Sequence, residues 1–180
     1  MKILSLDISS ATIGWSTFII ESNLISLHKY GHIKPLTKKK AAGLLHLRLD
    51  DACKAIKELI EEHQPDIFAV EDYALKFPKG KSSANTIRIL SVFNETVRLC
   101  AYQNGISKII AINVNTARKL IKNSYDFEIK EKEDSIIFAK EFLNYKTHLN
   151  KIGNVKKECE DEADSIVIGV AYFLSKEQLI

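Results

Sequence analysis

The chain has 180 residues, 46% hydrophobic and 27% charged, with a formal net charge of +3. That length suits a single domain over residues 1–180, able to bury about 70% of the surface its unfolded form exposes. No apolar run approaches the roughly 18 residues of a membrane span, and Asp7 interrupts the short apolar N-terminus before it can read as a signal peptide; the expectation is a cytoplasmic protein without a membrane partner.

From the N-terminus, residues 2–8, 14–20 and 24–33 read as three strands, with Ser9-Ser10 and Ser22-Asn23 as turns. Such short connections favour an antiparallel meander. Pro35 and Lys38-Lys39-Lys40 make a loop. Leu44, Leu45, Leu49, Ala52, Ile56, Leu59 and Ile60 then recur at helical spacing until Pro65 forbids continuation. A helix that returns the chain to a buried apolar strand, here 66–70, makes that strand parallel to an earlier one. Residues 74–82 form a basic loop, and a long helix follows from about Ser83 to Asn104, with Gly105 as its stop. A short strand at 108–112, a short helix from about Thr116, a charged helix from about Lys130 to Asn144 and a polar loop through Asn154 lead to a last helix that packs Ala163, Ile166, Val167, Val170 and Ala171 inward.

Four acids stand out against this frame. Asp7 and Glu71 each close an apolar strand, and Asp161 and Asp164 lie at i and i+3 in the first turn of the last helix, hence on one face. If the first two end neighbouring parallel strands, both emerge at the carboxyl edge of the sheet, where open α/β sheets form their binding crevices. Carboxylates held together at buried strand ends repel and are costly to desolvate, so they call for cations, and all-oxygen donors suit Mg²⁺ or Mn²⁺. Taken alone, Asp161 or Asp164 also fits a helix cap, and Asp7 a turn; the conjunction carries the signal. Cys53, Cys100 and Cys159 are widely spaced and fit reduced structural thiols, and His28 with His32 is too isolated for zinc. A net charge of +3 does not announce nucleic-acid binding. Clustering says more: Lys38–Lys40, then Lys76, Lys79 and Lys81, then Arg118, Lys119 and Lys122 stand apart from Glu158, Glu160, Asp161, Glu162 and Asp164, a bipolar surface suited to phosphates and metal.

Ile3-Leu4-Ser5-Leu6-Asp7 with Gly14-Trp15, Gln64 through Glu71, and Asp161-Glu162-Ala163-Asp164-Ser165 together resemble RuvC-type Holliday-junction resolvases of the RNase H-like superfamily, in matching order along nearly the whole chain. Ile8-Ser9-Ser10 after the first acid, in place of Pro-Gly, is closer to phage and poxviral members than to bacterial ones, which for a viral protein places it in the host-cell cytoplasm. The resemblance implies an α/β RNase H-like fold with a mixed five-stranded sheet, a three-strand antiparallel meander plus parallel strands, flanked by helices. It implies Asp7, Glu71, Asp161 and Asp164 as catalytic metal ligands, Lys132 as a lysine near the catalytic centre, and Lys119 or Lys122 near DNA. Two Mg²⁺ ions per site, with Mn²⁺ possible, about 4 Å apart, then hydrolyse a phosphodiester in line to 5′-phosphate and 3′-hydroxyl ends.

The basic loop after Glu71 adds Tyr73, Lys76, Phe77, Lys79 and Lys81 as DNA contacts, lysines for phosphates and rings for unpaired bases. On the long helix, Ile87, Leu90, Phe93, Val97 and Cys100 cover the sheet, while Ile89, Val92, Thr96 and Leu99 form a second, partly apolar face suited to a homodimer that cuts a four-way junction symmetrically. The expected partners are thus branched DNA and a second copy of the chain. Other readings are a less selective branched-DNA or RNA nuclease on the same fold, a phosphotransferase of the actin-like superfamily, and an inactive DNA-binding scaffold.

Overall fold

The computed structural model describes residues 1–72 and 84–177. A five-stranded sheet has the spatial order β3-β2-β1-β4-β5, built from β1 (Lys2–Ile8), β2 (Ile13–Glu21), β3 (Leu24–Ile33), β4 (Ile67–Glu71) and β5 (Ile109–Ile112). The first three strands form the antiparallel meander, and β4 and β5 add in parallel beside β1, as the sequence suggests. Ser22 and Asn23 both take positive φ, 48° and 62°, which gives a two-residue hairpin the twist that strands require.

Helix α1 (Leu45–His63) buries Ala52, Ile56, Leu59 and Ile60 and ends where Gln64 turns left-handed ahead of Pro65. Together with α2 (Ala84–Gln103) it covers one face of the sheet, against Leu4, Leu6 and Ile8 of β1 and Phe68 and Val70 of β4. On the opposite face α3 (Val114–Tyr125), α4 (Lys132–Leu143) and α5 (Glu158–Glu177) pack over Ile3, Phe18, Ile67 and Ala69. Helix α3 begins two residues earlier than the apolar pattern suggests, because the Asn113 side chain accepts from the Asn115 amide and caps it. Helix α4 is opened by a reciprocal pair of side-chain caps between Glu131 and Asp134.

Strand alternation aims the site. Side chains in β1 and β4 switch faces at every residue, so Asp7 follows Ile3 and Ser5, and Glu71 follows Ile67 and Ala69, onto the α5 face. Helix α5 lies close on that face because its partners there are small. A Cβ on Gly14 would fall 1.9 Å from the Asp161 carbonyl oxygen, and one on Gly169 2.1 Å from the Phe18 ring. Ser5, Ser16 and Ser165 fill the remaining gap with buried hydroxyls that bond one another, Ser5 to Ser16 at 2.8 Å and Ser165 to Ser16 at 3.1 Å.

The second face of α2 is not uniformly open. Ile89 packs into the α1 side of the core and the Thr96 carbonyl faces Cys53 of α1, whereas Leu99 and Tyr102 are 54% and 66% exposed. Cys53, Cys100 and Cys159 are free thiols, the last two buried. Among the described residues no helix is long and apolar enough to cross a membrane.

Candidate metal centre

Register places Asp7 and Glu71 side by side, each one residue past the paired Leu6 and Val70. Helix α5 brings Asp161 and Asp164 over them, and α4 brings Lys132, whose ammonium donates to Asp161 Oδ1 at 3.0 Å and stands 3.4 Å from Asp164 Oδ2 and 3.9 Å from Glu160 Oε2. A cavity of about 270 Å³ opens here, lined by Asp7, Glu71, Arg118, Lys132, Ser135 and Asp164. All four acids and the lysine singled out from the sequence thus meet in one place.

The electrostatics are those of crowded carboxylates. Burial first, then the charges of Glu71 and Asp164, push the Asp7 carboxyl well above its ordinary range, against the pull of Lys132. Burial also raises Glu71, and a hydrogen bond with Asp7 holds part of that rise back. Asp164 is raised by burial while the Ser135 hydroxyl and Lys132 oppose the shift. For Lys132, burial works against the charge, but Asp164 and the bond to Asp161 outweigh it and hold the ammonium above the usual lysine value. These are acids that gain from a cation in their midst, and the Lys132 ammonium supplies one positive charge among them.

The donor set fits a hard divalent ion. It is all oxygen, four carboxyls with the Ser135 hydroxyl behind Asp164, and neither imidazole nor thiol lines the cavity. As the side chains stand, no group of three or more His, Cys, Asp or Glu among the described residues is arranged to hold a metal ion. The Lys132 ammonium lies within reach of both α5 aspartates, so a metal bound there displaces it outward.

Surplus acids are sorted by their partners. Glu158 is paired with Lys34, Glu162 is fully buried and turned away toward His32 and Tyr145, and Glu160 reaches Lys132 only at 3.9 Å without lining the space beside Asp7 and Glu71, which leaves Asp161 and Asp164 as the pair facing the strand ends. Asp72 stands 3.4 Å from Arg98. Of the basic positions, Lys119 is exposed and Lys122 is held by Glu128 at 2.9 Å, while Arg118 lines the cavity with its Nη1 donating to the Lys130 carbonyl at 3.1 Å. Tyr73, Lys76, Phe77, Lys79 and Lys81 lie outside the described residues. Two further residues are not singled out by the sequence. Ser135 shares a helix face with Lys132 at i+3, and Asn94, a polar residue within an apolar stripe, donates to the Glu71 carbonyl at 3.0 Å and fixes the end of β4. That second signal was available, since a buried polar group within a helix needs a partner.

No protein-family model matches the chain. A crossover junction endodeoxyribonuclease RuvC of Finegoldia magna is 33% identical over 108 residues, which are 57% of this chain and 62% of that protein, so the match spans less than two thirds of the relative. The structure of T. thermophilus RuvC in complex with a Holliday junction substrate superposes with a TM-score of 0.73 at 13% identity, covering 99% of this chain and 96% of that one. The fowlpox virus resolvase, in complex with Holliday junction DNA, gives a TM-score of 0.55 at 20% identity over 98% of this chain and 99% of its own. The chain thus shares its fold along nearly its whole length with these two solved structures, and shares sequence with the Finegoldia magna protein over 108 residues.

Proposed function

We propose that the chain is a metal-dependent endonuclease that resolves four-way DNA junctions by hydrolysing phosphodiesters to 5′-phosphate and 3′-hydroxyl ends. The observation that carries this reading is the meeting of Asp7, Glu71 and Asp164 around one cavity, with Lys132 among them and Asp161 bonded to that lysine. The likeness in fold to a RuvC and to a viral resolvase, each solved with Holliday junction DNA, supports the substrate class.

Asp7, Glu71, Asp161 and Asp164 would hold Mg²⁺, two ions per site, with Mn²⁺ as an alternative, and such ions would supply Lewis-acid polarisation of the phosphate and a water of lowered pKa. The chain's own residues do the rest. Arg118 and Lys132 draw the scissile phosphate into the cavity, and Lys132 offsets the charge that develops on it in the transition state. Ser135 keeps the Asp164 carboxyl oriented, and Asn94 keeps Glu71 at the strand end. The alternation of β1 and β4 fixes the angle at which Asp7 and Glu71 present their oxygens, so positioning is built into the sheet rather than into a loop. A homodimer supplies two such sites related by a two-fold axis, as the paired cuts of a junction require.

Incubation with a synthetic four-way junction, a flap and a linear duplex, with and without Mg²⁺, tests the reading. Paired nicks in the junction that need Mg²⁺ are expected. Equal cutting of the flap points instead to a less selective nuclease of this fold, and ATP turnover without DNA cleavage overturns the assignment.

A further inference from the structure

Between the two site aspartates of α5 lies a residue that points the other way. Glu162 is 0% exposed, an acid among Cys159, Ala163 and Ile166. It is fully engaged: His32 Nδ1 of β3 donates to Oε1 at 2.7 Å, and the Tyr145 hydroxyl donates to Oε2 at 2.7 Å. His148 Nε2 closes the cluster from outside, 3.8 Å from Oε2. Burial, with the Cys159 side chain and Glu162 beside it, pushes the Tyr145 hydroxyl up, so it remains a donor at any ordinary pH.

These partners belong to different segments. His32 lies in the outer strand of the meander, and Tyr145 sits just past the end of α4, the helix that carries Lys132. The segment after α4 is itself tied to β3, since the Tyr30 and Tyr145 rings lie 4.7 Å apart and the Tyr30 hydroxyl bonds both backbone groups of Lys146, at 3.1 and 3.3 Å. Helix ends fray, and the only fully buried side chain among 158–161 is that of Cys159. The ties from Lys34 to Glu158 and from Lys132 to Asp161 run through half-exposed, flexible lysines, which leaves Glu162 as the buried polar tie of this turn. A buried polar cluster adds little net stability over an apolar one of the same volume, but it is directional, and its carboxylate cannot be removed alone without stranding its partners.

We infer that Glu162 is a positioning residue for the metal centre: through His32 and Tyr145 it locks the first turn of α5 to β3 and to the end of α4, and so fixes Asp161 and Asp164 opposite Asp7 and Glu71. The inference rests on the proposed metal-dependent activity. Glu162 touches neither metal nor phosphate. It acts through the orientation of its helix.

Glu162→Leu, Tyr145→Phe and His32→Gln test this, each read by melting temperature, by junction affinity in EDTA, by Tb³⁺ luminescence with Tb³⁺ as the probe of the carboxylate site, and by kcat and KM for junction cleavage in Mg²⁺. Glu162→Leu leaves the Tyr145 hydroxyl and the His32 imidazole without their shared acceptor, so it is expected to melt below the wild type and, assayed well below that melting point, to bind the junction in EDTA with unchanged affinity. It should bind Tb³⁺ about 10-fold more weakly and lose kcat by about 10- to 100-fold with KM unchanged. Tyr145→Phe and His32→Gln, which each remove one tie, should show the same pattern to a smaller degree. Wild-type Tb³⁺ affinity and kcat in Glu162→Leu overturn the inference. If that variant does not fold, unchanged Tb³⁺ affinity in both single-tie variants overturns it instead. Failure of the underlying reading is seen elsewhere, as a wild type that binds no Tb³⁺ or cuts no junction.

Discussion

Gly14→Ala probes how closely the site depends on the seat of α5. Gly14 pairs with Asp7 across β1 and β2, and a Cβ there would lie 1.9 Å from the Asp161 carbonyl oxygen and 2.7 Å from the Glu162 nitrogen. Non-bonded heavy atoms rest near about 3.5 Å, so the first turn of α5 must retreat by roughly 1.5 Å. Strand β2 cannot yield in its place, because it is bonded on both sides, to β1 and to β3. Overpacking of this kind costs about 1–3 kcal/mol, a fall of several degrees in melting temperature for a chain of this size. Function should suffer more than stability. A misplacement of about 1 Å at reacting groups costs about 100-fold in rate, and here both Asp161 and Asp164 are carried outward. Single-turnover cleavage of a four-way junction in Mg²⁺ should drop by about that factor, with junction affinity in EDTA unchanged because Arg118 and the surface lysines are untouched. Cleavage within twofold of wild type would refute the claim that this contact sets the site.

Asp7→Asn should abolish cleavage while preserving junction binding, and it should flatten the pH dependence of stability in EDTA. Asp7, Glu71 and Asp164 have raised carboxyl pKa values, so their contribution is fully present below the unfolded values of 3.8 and 4.5 and is lost as pH rises through the raised ones. Thermal melts from pH 4 to 8 should therefore show the wild type losing stability relative to Asp7→Asn as pH rises, and parallel curves would contradict the crowding argument. Lys132→Met removes the ammonium beside Asp161 and Asp164; it should lower the melting temperature more in EDTA than in Mg²⁺ and slow cleavage by about 10-fold or more, and a melting loss equal in both buffers would show that the lysine does not neutralise the acids. Leu99→Glu places a charge on the exposed stripe of α2 and should convert a dimer to a folded monomer by light scattering, whereas a monomeric wild type at micromolar concentration removes α2 as the interface.

The fold was legible wherever a local rule and a long-range requirement agreed. Ser22-Asn23 between alternating strands, Pro65 after an amphipathic run, and Gly105 after a long one each had one cheap solution, and the structure adopts it. Asp7 and Glu71 were legible for the same reason, since a charge ending a buried strand has few uses. The start of α3 was harder, because Asn113 and Asn115 are as common in loops as in caps, and only the bond between them decides. Helical phase sets Glu162 apart from Asp161 and Asp164 in sequence, but not what it meets. All three are acids in one helical turn, and what decides the role of Glu162 is its contact with His32 and Tyr145, residues 130 and 17 positions away. Arg118 was hidden by its neighbours, one cation in a run where helix phase alone selects which faces the cavity.

Charge balance connects the separate parts of the site. Four carboxyls against Lys132 and Arg118 leave the cavity short of positive charge, and a phosphodiester entering it adds one more negative group. On the proposed reading Arg118 and Lys132 attract the DNA backbone to the rim, yet the last few ångströms bring phosphate oxygens against Asp7 and Glu71, whose carboxyls are raised chiefly by burial, a sign that negative charge is poorly solvated there. On the proposed reading a divalent cation removes that barrier, and the phosphate in turn adds oxygen ligands that the cation lacks. Linkage then requires each to strengthen the binding of the other by the same factor.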